Sequence, residues 1–248
     1  MSATSQPAPA VVIPPTTQEE LLIRADRAQV VASLSRGMAH DLRGPLQALT
    51  LLVDPNVDLT AGPGGARLRQ AVSESVQHLT DTVGRFSQIY APREGEPAPI
   101  VVDDLLATLV DLQRFQRSLP AVQIRLELPG GLPPVKGVES DLRHLLLSLI
   151  CNAKQALDAR ADASITLGAA KESGMVRLEV TDNGPGLGAA EREAAFQPFH
   201  PTHPGQLGIG LCVARMLAVR NGGTLQLNAA PGGGIQALLR LPAWPRMA

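Results

Sequence analysis

Apolar residues recur every third or fourth position from Val31 through Leu34, Met38, Leu42, Leu46 and Leu49 to Val53, and again from Leu68 through Val72, Val76, Leu79, Val83 and Phe86 to Tyr90. That spacing is one face of a helix. Between the stripes, Asp54-Pro55 and then Gly62-Pro63-Gly64-Gly65 force a turn. Two long helices on a short connection make an antiparallel hairpin. A lone hairpin cannot bury both stripes, so two copies are expected to pair into a four-helix bundle and the protein to be a homodimer. Thr17 and Glu20 have capping-box spacing and start the first helix. His40 and Asp41 lie inside it, ahead of Pro45, which is expected to bend it. His40 is two residues from both Met38 and Leu42, so it points away from the buried stripe, toward solvent.

Past Tyr90 the pattern changes to mixed strand and helix. Ile100 to Val102 reads as a strand, Asp103 caps a helix to about Leu119, and Val122, Ile124, Leu126 and Leu128 alternate with polar residues as in a half-buried strand. Ser140 to Ala159 is the next helix, followed by a hairpin of strands near Ser164 to Ala170 and Met175 to Thr181. A helix opens after Gly205 to Leu211 and closes at Asn221-Gly222-Gly223, and strands Thr224 to Asn228 and Ile235 to Leu241 end the chain around PGGG. The organisation is therefore a flexible Pro- and Ala-rich tail over 1–17, the hairpin over 18–92, a linker over 93–99 and a mixed strand-and-helix domain over 100–245, giving an α+β fold class overall.

Composition limits the function. With 248 residues, 44% of them hydrophobic, and a net charge of −1, the chain can bury a core but has no electrostatic footprint for nucleic acid or an anionic membrane. Any phosphate binding must be local. No apolar run approaches the roughly 18 residues of a membrane span, and the N-terminus lacks the pattern of a signal peptide, so a cytoplasmic protein without membrane insertion is expected. Cys151 and Cys212 have no metal-type spacing and read as buried, reduced thiols.

Three features carry chemistry. Asn152 points almost the same way as Leu145 on an apolar helix face, where a polar amide needs a partner: backbone in a core, or a metal or phosphate in a cleft. DNGPG, Asp182 to Gly186, follows directly on a strand and alone could be only a turn. The second glycine cluster, GQLGIGL, opens a helix whose amides favour phosphate oxygens. Between the clusters, Phe196, Pro198, Phe199 and His200 form an irregular stretch suited to a lid. His78 and His144 read as solvated or structural, and His200 and His203 sit on the lid, where phosphate contact is open to them.

The ordered set HDLRGPL, NAKQA (Asn152 to Ala156), DNGPG, FQPF (Phe196 to Phe199) and GIGL (Gly208 to Leu211) resembles a bacterial sensor histidine kinase core over residues 20 to 241. The resemblance implies a dimerisation and phosphoacceptor hairpin followed by a Bergerat-type ATP-binding domain, and a two-component phosphorelay. By that resemblance His40 is the nucleophile toward the γ-phosphoryl group of ATP, and Asp41 orients its imidazole and takes its proton. Asn152 ligates Mg²⁺, and Asp182 accepts a hydrogen bond from the adenine amino group. Gly184 and Gly186 admit the base, and Gly208 and Gly210 admit the phosphates. The implied partner is the receiver domain of a response regulator.

The chain departs from the family pattern in places. Ser148 stands where an asparagine is common, Pro201, Thr202 and His203 replace a stretch that often ends in lysine, and Gly44 replaces a threonine or asparagine associated with phosphatase activity. The altered lid supports a second reading, a degenerate, non-catalytic phosphotransfer or scaffold dimer of the same fold; a third, a Bergerat ATPase or serine kinase outside histidine signalling, is opposed by the His40 helix, which such proteins do not need. No sensor domain fits ahead of residue 20, so input is expected from the tail, a separate sensor protein or another chain.

Overall fold

A computed structural model of the chain describes residues 17–50, 70, 73–77, 96–114, 122–157, 160–203 and 207–245, with 35–50 and 113–114 as backbone only. Helix α1 runs Gln18–Thr50. Thr17 caps it, its Oγ1 accepting from the Glu20 amide at 3.3 Å, and Glu19 and Glu20 suit the positive end of the helix dipole. The helix is continuous across Pro45. Of the second stripe only residues 73–77 are described in a helical run, so most of the expected hairpin, its turn and His78 lie outside the described residues.

Beyond residue 96 come β1 Ala98–Ile100, α2 Val102–Arg114, β2 Gln123–Glu127, β3 Val135–Gly137, α3 Glu139–Ala156, β4 Ser164–Glu172, β5 Met175–Asp182, α4 Ala189–Ala194, α5 Gly210–Arg220, β6 Thr224–Ala229 and β7 Ile235–Pro242. Strand β3 and the six-residue α4 were not expected from the sequence. The main sheet has the order β2-β4-β5-β7-β6, parallel only between β2 and β4, and β1 pairs with β3 in a separate antiparallel ribbon. Alternation along the strands sorts the faces. On β5, Val176, Leu178 and Val180 are buried, while Arg177 and Glu179 point to the open face. There Arg177 pairs with Glu179 at 2.8 Å and Arg240 with Glu172 at 2.9 Å. The inner face packs on α3 and α5, which supply Leu142, Leu145, Leu146, Leu149, Val213 and Leu217 to the core.

One difference from the sequence reading concerns α1. Its first half packs on α3 and α5 and buries Ile23, Val30 and Leu34 in the same core. Val31, the first residue of the stripe read from the sequence, is only half-buried. Each such apolar side chain contributes about 1.5–3 kcal/mol when fully buried, so this docking is a substantial contact.

Candidate functional site

The alternation that buries Val176, Leu178 and Val180 continues onto Asp182, so a carboxylate lands on the inner, helix-covered side of the sheet, only 7% exposed. Its Oδ1 accepts from the Gly184 amide at 2.8 Å and the Ile235 amide at 3.3 Å. Burial raises its pKa, partly opposed by those two bonds and by nearby His203. Gly184 packs close to Ala156 at the end of α3: a Cβ there would stand 3.4 Å from the Ala156 methyl and 2.8 Å from Asp182 Oδ1. Gly186, at φ +76, abuts Gly234. The PGGG turn, read from the sequence only as a strand connection, is therefore part of the wall: a side chain on Gly234 would strike the Asp182 carbonyl.

Asn152 lines a cavity together with Ser148, His200, Thr202, Gly208 and Gly210. Gly208 has φ +67, and a Cβ there would overlap the His200–Pro201 backbone, so the lid can lie on the start of α5 only if this residue is glycine. Ser148 Oγ donates to the Gly210 carbonyl at 3.3 Å, which gives this departure from the family pattern a structural role. Two lid residues tie the halves of the site together. Thr202 Oγ1 donates to Asn152 Oδ1 at 3.3 Å and lies 3.1 Å from His203 Nδ1. Burial lowers the pKa of His203, opposed by the Asp182 carboxylate. The structure thus brings Asn152, Gly208 and Gly210 to one cavity and joins it through Thr202-His203 to Asp182, Gly184 and Gly186. His40 and Asp41 lie in the second half of α1 as backbone, their side chains outside the described residues.

A further wall was not foreseen. Asp26, Gln29, Val30 and Ser33 of α1 line the same cavity. Asp26, 1% exposed, places Oδ2 2.9 Å from His144 Nε2. His144 is thus structural, as read from the sequence. Asp26 falls three and four residues from Ile23 and Val30, the polar-in-a-stripe signal that singled out Asn152. The thiols are reduced but only half-buried by surface. Desolvation dominates at Cys151, beside Ser33, and pushes its thiol to about 11.

A buried carboxylate, an amide on the facing helix and two glycine-walled turns under a lid define an α/β nucleotide-binding domain. Residues 137–245 match the family of histidine kinase-, DNA gyrase B- and HSP90-like ATPases. Over 221 residues, 88% of this chain, it is 27% identical to the sensor histidine kinase ZraS of Escherichia coli, and over 216 residues, 86% of the chain, 27% identical to the C4-dicarboxylate transport sensor protein DctB of Rhizobium meliloti. These matches span 47% and 35% of those proteins, so the chain corresponds to half of them or less. Its fold is similar to full-length ShkA in complex with AMPPNP (TM-score 0.55, 23% identity, 93% of this chain and 46% of that one). It is also similar to the ATP-binding domain of PrrB from Mycobacterium tuberculosis (TM-score 0.50, 26% identity, 61% of this chain and 100% of that one). Residues 137–245 thus carry a domain of that ATPase family, and the chain over most of its length is similar to the core of sensor histidine kinases.

Proposed function

We propose that this core is an ATP-dependent protein-histidine kinase that phosphorylates His40 and passes the phosphoryl group to an aspartate on a response-regulator receiver domain. The observation that carries the reading is the buried Asp182 carboxylate, linked through His203 and Thr202 to Asn152, in a site walled by glycines at 184, 186, 208 and 210. A desolvated carboxylate with Oδ1 committed to two backbone amides has Oδ2 left for the exocyclic amine of adenine. Asn152 offers an amide oxygen, the hard ligand Mg²⁺ prefers alongside nucleotide phosphates. The ion would supply charge neutralisation at the transferred group.

In the proposed reaction a ring nitrogen of neutral His40 attacks the γ-phosphorus of ATP, the bond to the β–γ bridging oxygen breaks, and ADP leaves. Asp41, next in sequence, takes the imidazole proton. Positioning and charge neutralisation supply most of the catalysis. On this reading residues 18–92 form the dimerising hairpin, 93–99 the linker and 100–245 the catalytic domain. A homodimer through a four-helix bundle places His40 within reach of a catalytic domain. No helix among the described residues is long and apolar enough to cross a membrane, and because the reaction consumes ATP we assign the core to the cytoplasm.

Incubation with labelled ATP tests the reading: an acid-labile, alkali-stable phosphoryl group is expected, lost in His40→Ala while nucleotide binding persists. Label retained in that variant refutes the assignment.

A further inference from the structure

Asp26 stands where an anion belongs. Its Oδ1 lies 3.4 Å from where a Cβ on Gly210 would be, beside the first turn of α5, whose amides favour negative charge. On the reading above, that is the phosphate end of the nucleotide cavity. The carboxylate is held by His144 on α3, and the segment bearing it is seated by Ile23, Val30 and Leu34. The pairing is incomplete on the histidine side, because Nδ1 of His144 is buried without a hydrogen-bond partner among the described residues.

The register of α1 adds a second observation. Asp26, Gln29 and Ser33 line the cavity. His40 is seven residues past Ser33 on the same continuous helix, which is about 20° short of two turns and about 10.5 Å along the axis. It is eleven residues past Gln29, about 20° beyond three turns. By helical register, position 40 falls on the same face of α1 as Gln29 and Ser33, two turns beyond Ser33.

We propose that the Asp26–His144 pair is a latch that holds a resting register, in which Asp26 occupies the phosphate end of the site and Ser33 takes the place of His40. The inference rests on the kinase reading. Nucleotide phosphates and the Asp26 carboxylate compete for one helix terminus, so ATP binding and latch closure oppose each other. Release lets α1 undock and the domain meet a histidine two turns further on, in the same subunit or its partner.

The latch is tested in the full chain in a Cys212→Ser background. If the resting register holds about nine-tenths of molecules, Asp26→Asn is expected to raise the rate of histidine phosphorylation about ten-fold and to tighten ATP binding. It should also speed iodoacetamide modification of Cys151, which is hydrogen-bonded to Ser33 at the seam, while circular dichroism and the thermal melt remain those of a folded domain. His144→Gln should act in the same direction. Ser33→Cys puts a thiol beside Cys151. Its oxidised form should be folded and unable to phosphorylate His40, and reduction should restore the rate. Slower phosphorylation with weaker ATP binding in both Asp26→Asn and His144→Gln would overturn the latch, as would an oxidised Ser33→Cys form that phosphorylates at the reduced rate. Faster Cys151 modification in a protein that never forms phosphohistidine would support the docking and count against the kinase reading alone.

Discussion

On the proposed function, replacing Asp182 by asparagine separates recognition from folding, because the two carboxylate oxygens would have different duties. Oδ1 accepts from the Gly184 and Ile235 amides. Alanine would orphan both donors at about 1–3 kcal/mol each when buried, so loss of nucleotide binding in Asp182→Ala could come from a damaged turn. Asparagine keeps an acceptor for both amides if its oxygen takes the Oδ1 place. Its NH2 then faces the adenine amine, donor against donor. A hydrogen bond to a charged group is worth about 1.5–3 kcal/mol, so ATP affinity is expected to fall about 10- to 150-fold, with a melting temperature equal to or above the parent's because a buried charge has been removed. Titration calorimetry and a thermal melt read the two quantities. Acid should mimic the substitution. Burial raises the Asp182 pKa, so the native carboxyl takes up its proton at a higher pH than a free one. The cost of burying its charge is relieved as pH falls through that raised value, and nucleotide affinity is lost over the same window. Unchanged affinity in Asp182→Asn would show that this carboxylate does not face the base.

Three more predictions concern other residues. Thr202→Ala combined with His203→Ala should tighten ATP binding about 5- to 10-fold by calorimetry, since Thr202 Oγ1 donates to Asn152 Oδ1 and would compete with a metal ion or phosphate for it, and a lost hydrogen bond is worth about 1 kcal/mol; weaker binding would make these residues ligands instead. Asn221→Ala should cost about 2–4 kcal/mol in urea unfolding, because its side chain accepts from Val138 N at 2.7 Å and donates to Leu217 O at 2.8 Å and to Asp141; a stability within 0.5 kcal/mol of the parent, the usual span for surface changes, would refute the role. Gly44 has no group to orient water, so the protein should barely speed loss of label from its phosphorylated partner in the presence of ADP, and Gly44→Thr should increase that loss; rapid dephosphorylation by the parent chain would show the first expectation wrong.

The parts of the site that were legible in the sequence rest on local order. Val176, Leu178 and Val180 alternate up to Asp182, and a glycine turn follows at once, so the strand and its terminal carboxylate share one signal. Asn152 showed itself as an amide in an apolar stripe. What was missed needs partners distant in the chain. Asp26 and His144 are 118 residues apart, and nothing near either residue names the other. Strand β3 has three residues and exists through its pairing with β1. The PGGG turn looked like a connection because its closeness to Asp182 is set by the register of β5 on β7.

Helix α1 was legible as a helix, but the face that docks on the α/β domain was not read from the sequence, and the reason bears on how the core works. The stripe from Val31 to Val53 describes one face, suited to a bundle, whereas Ile23, Val30 and Leu34 describe another, suited to the α/β domain. Leu34 belongs to both and is 2% exposed in the docked arrangement. One side chain cannot fill a bundle layer and a domain core at once. If the bundle extends up to residue 34, closing it withdraws Leu34 from the domain and loosens the segment that carries Asp26. If it begins further on, docking and dimerisation coexist and the latch is opened by nucleotide alone. Leu34→Ala distinguishes these cases: a loss of about 2–5 kcal/mol for a buried leucine appears in dimer stability as well as in docking only when the two surfaces share the residue.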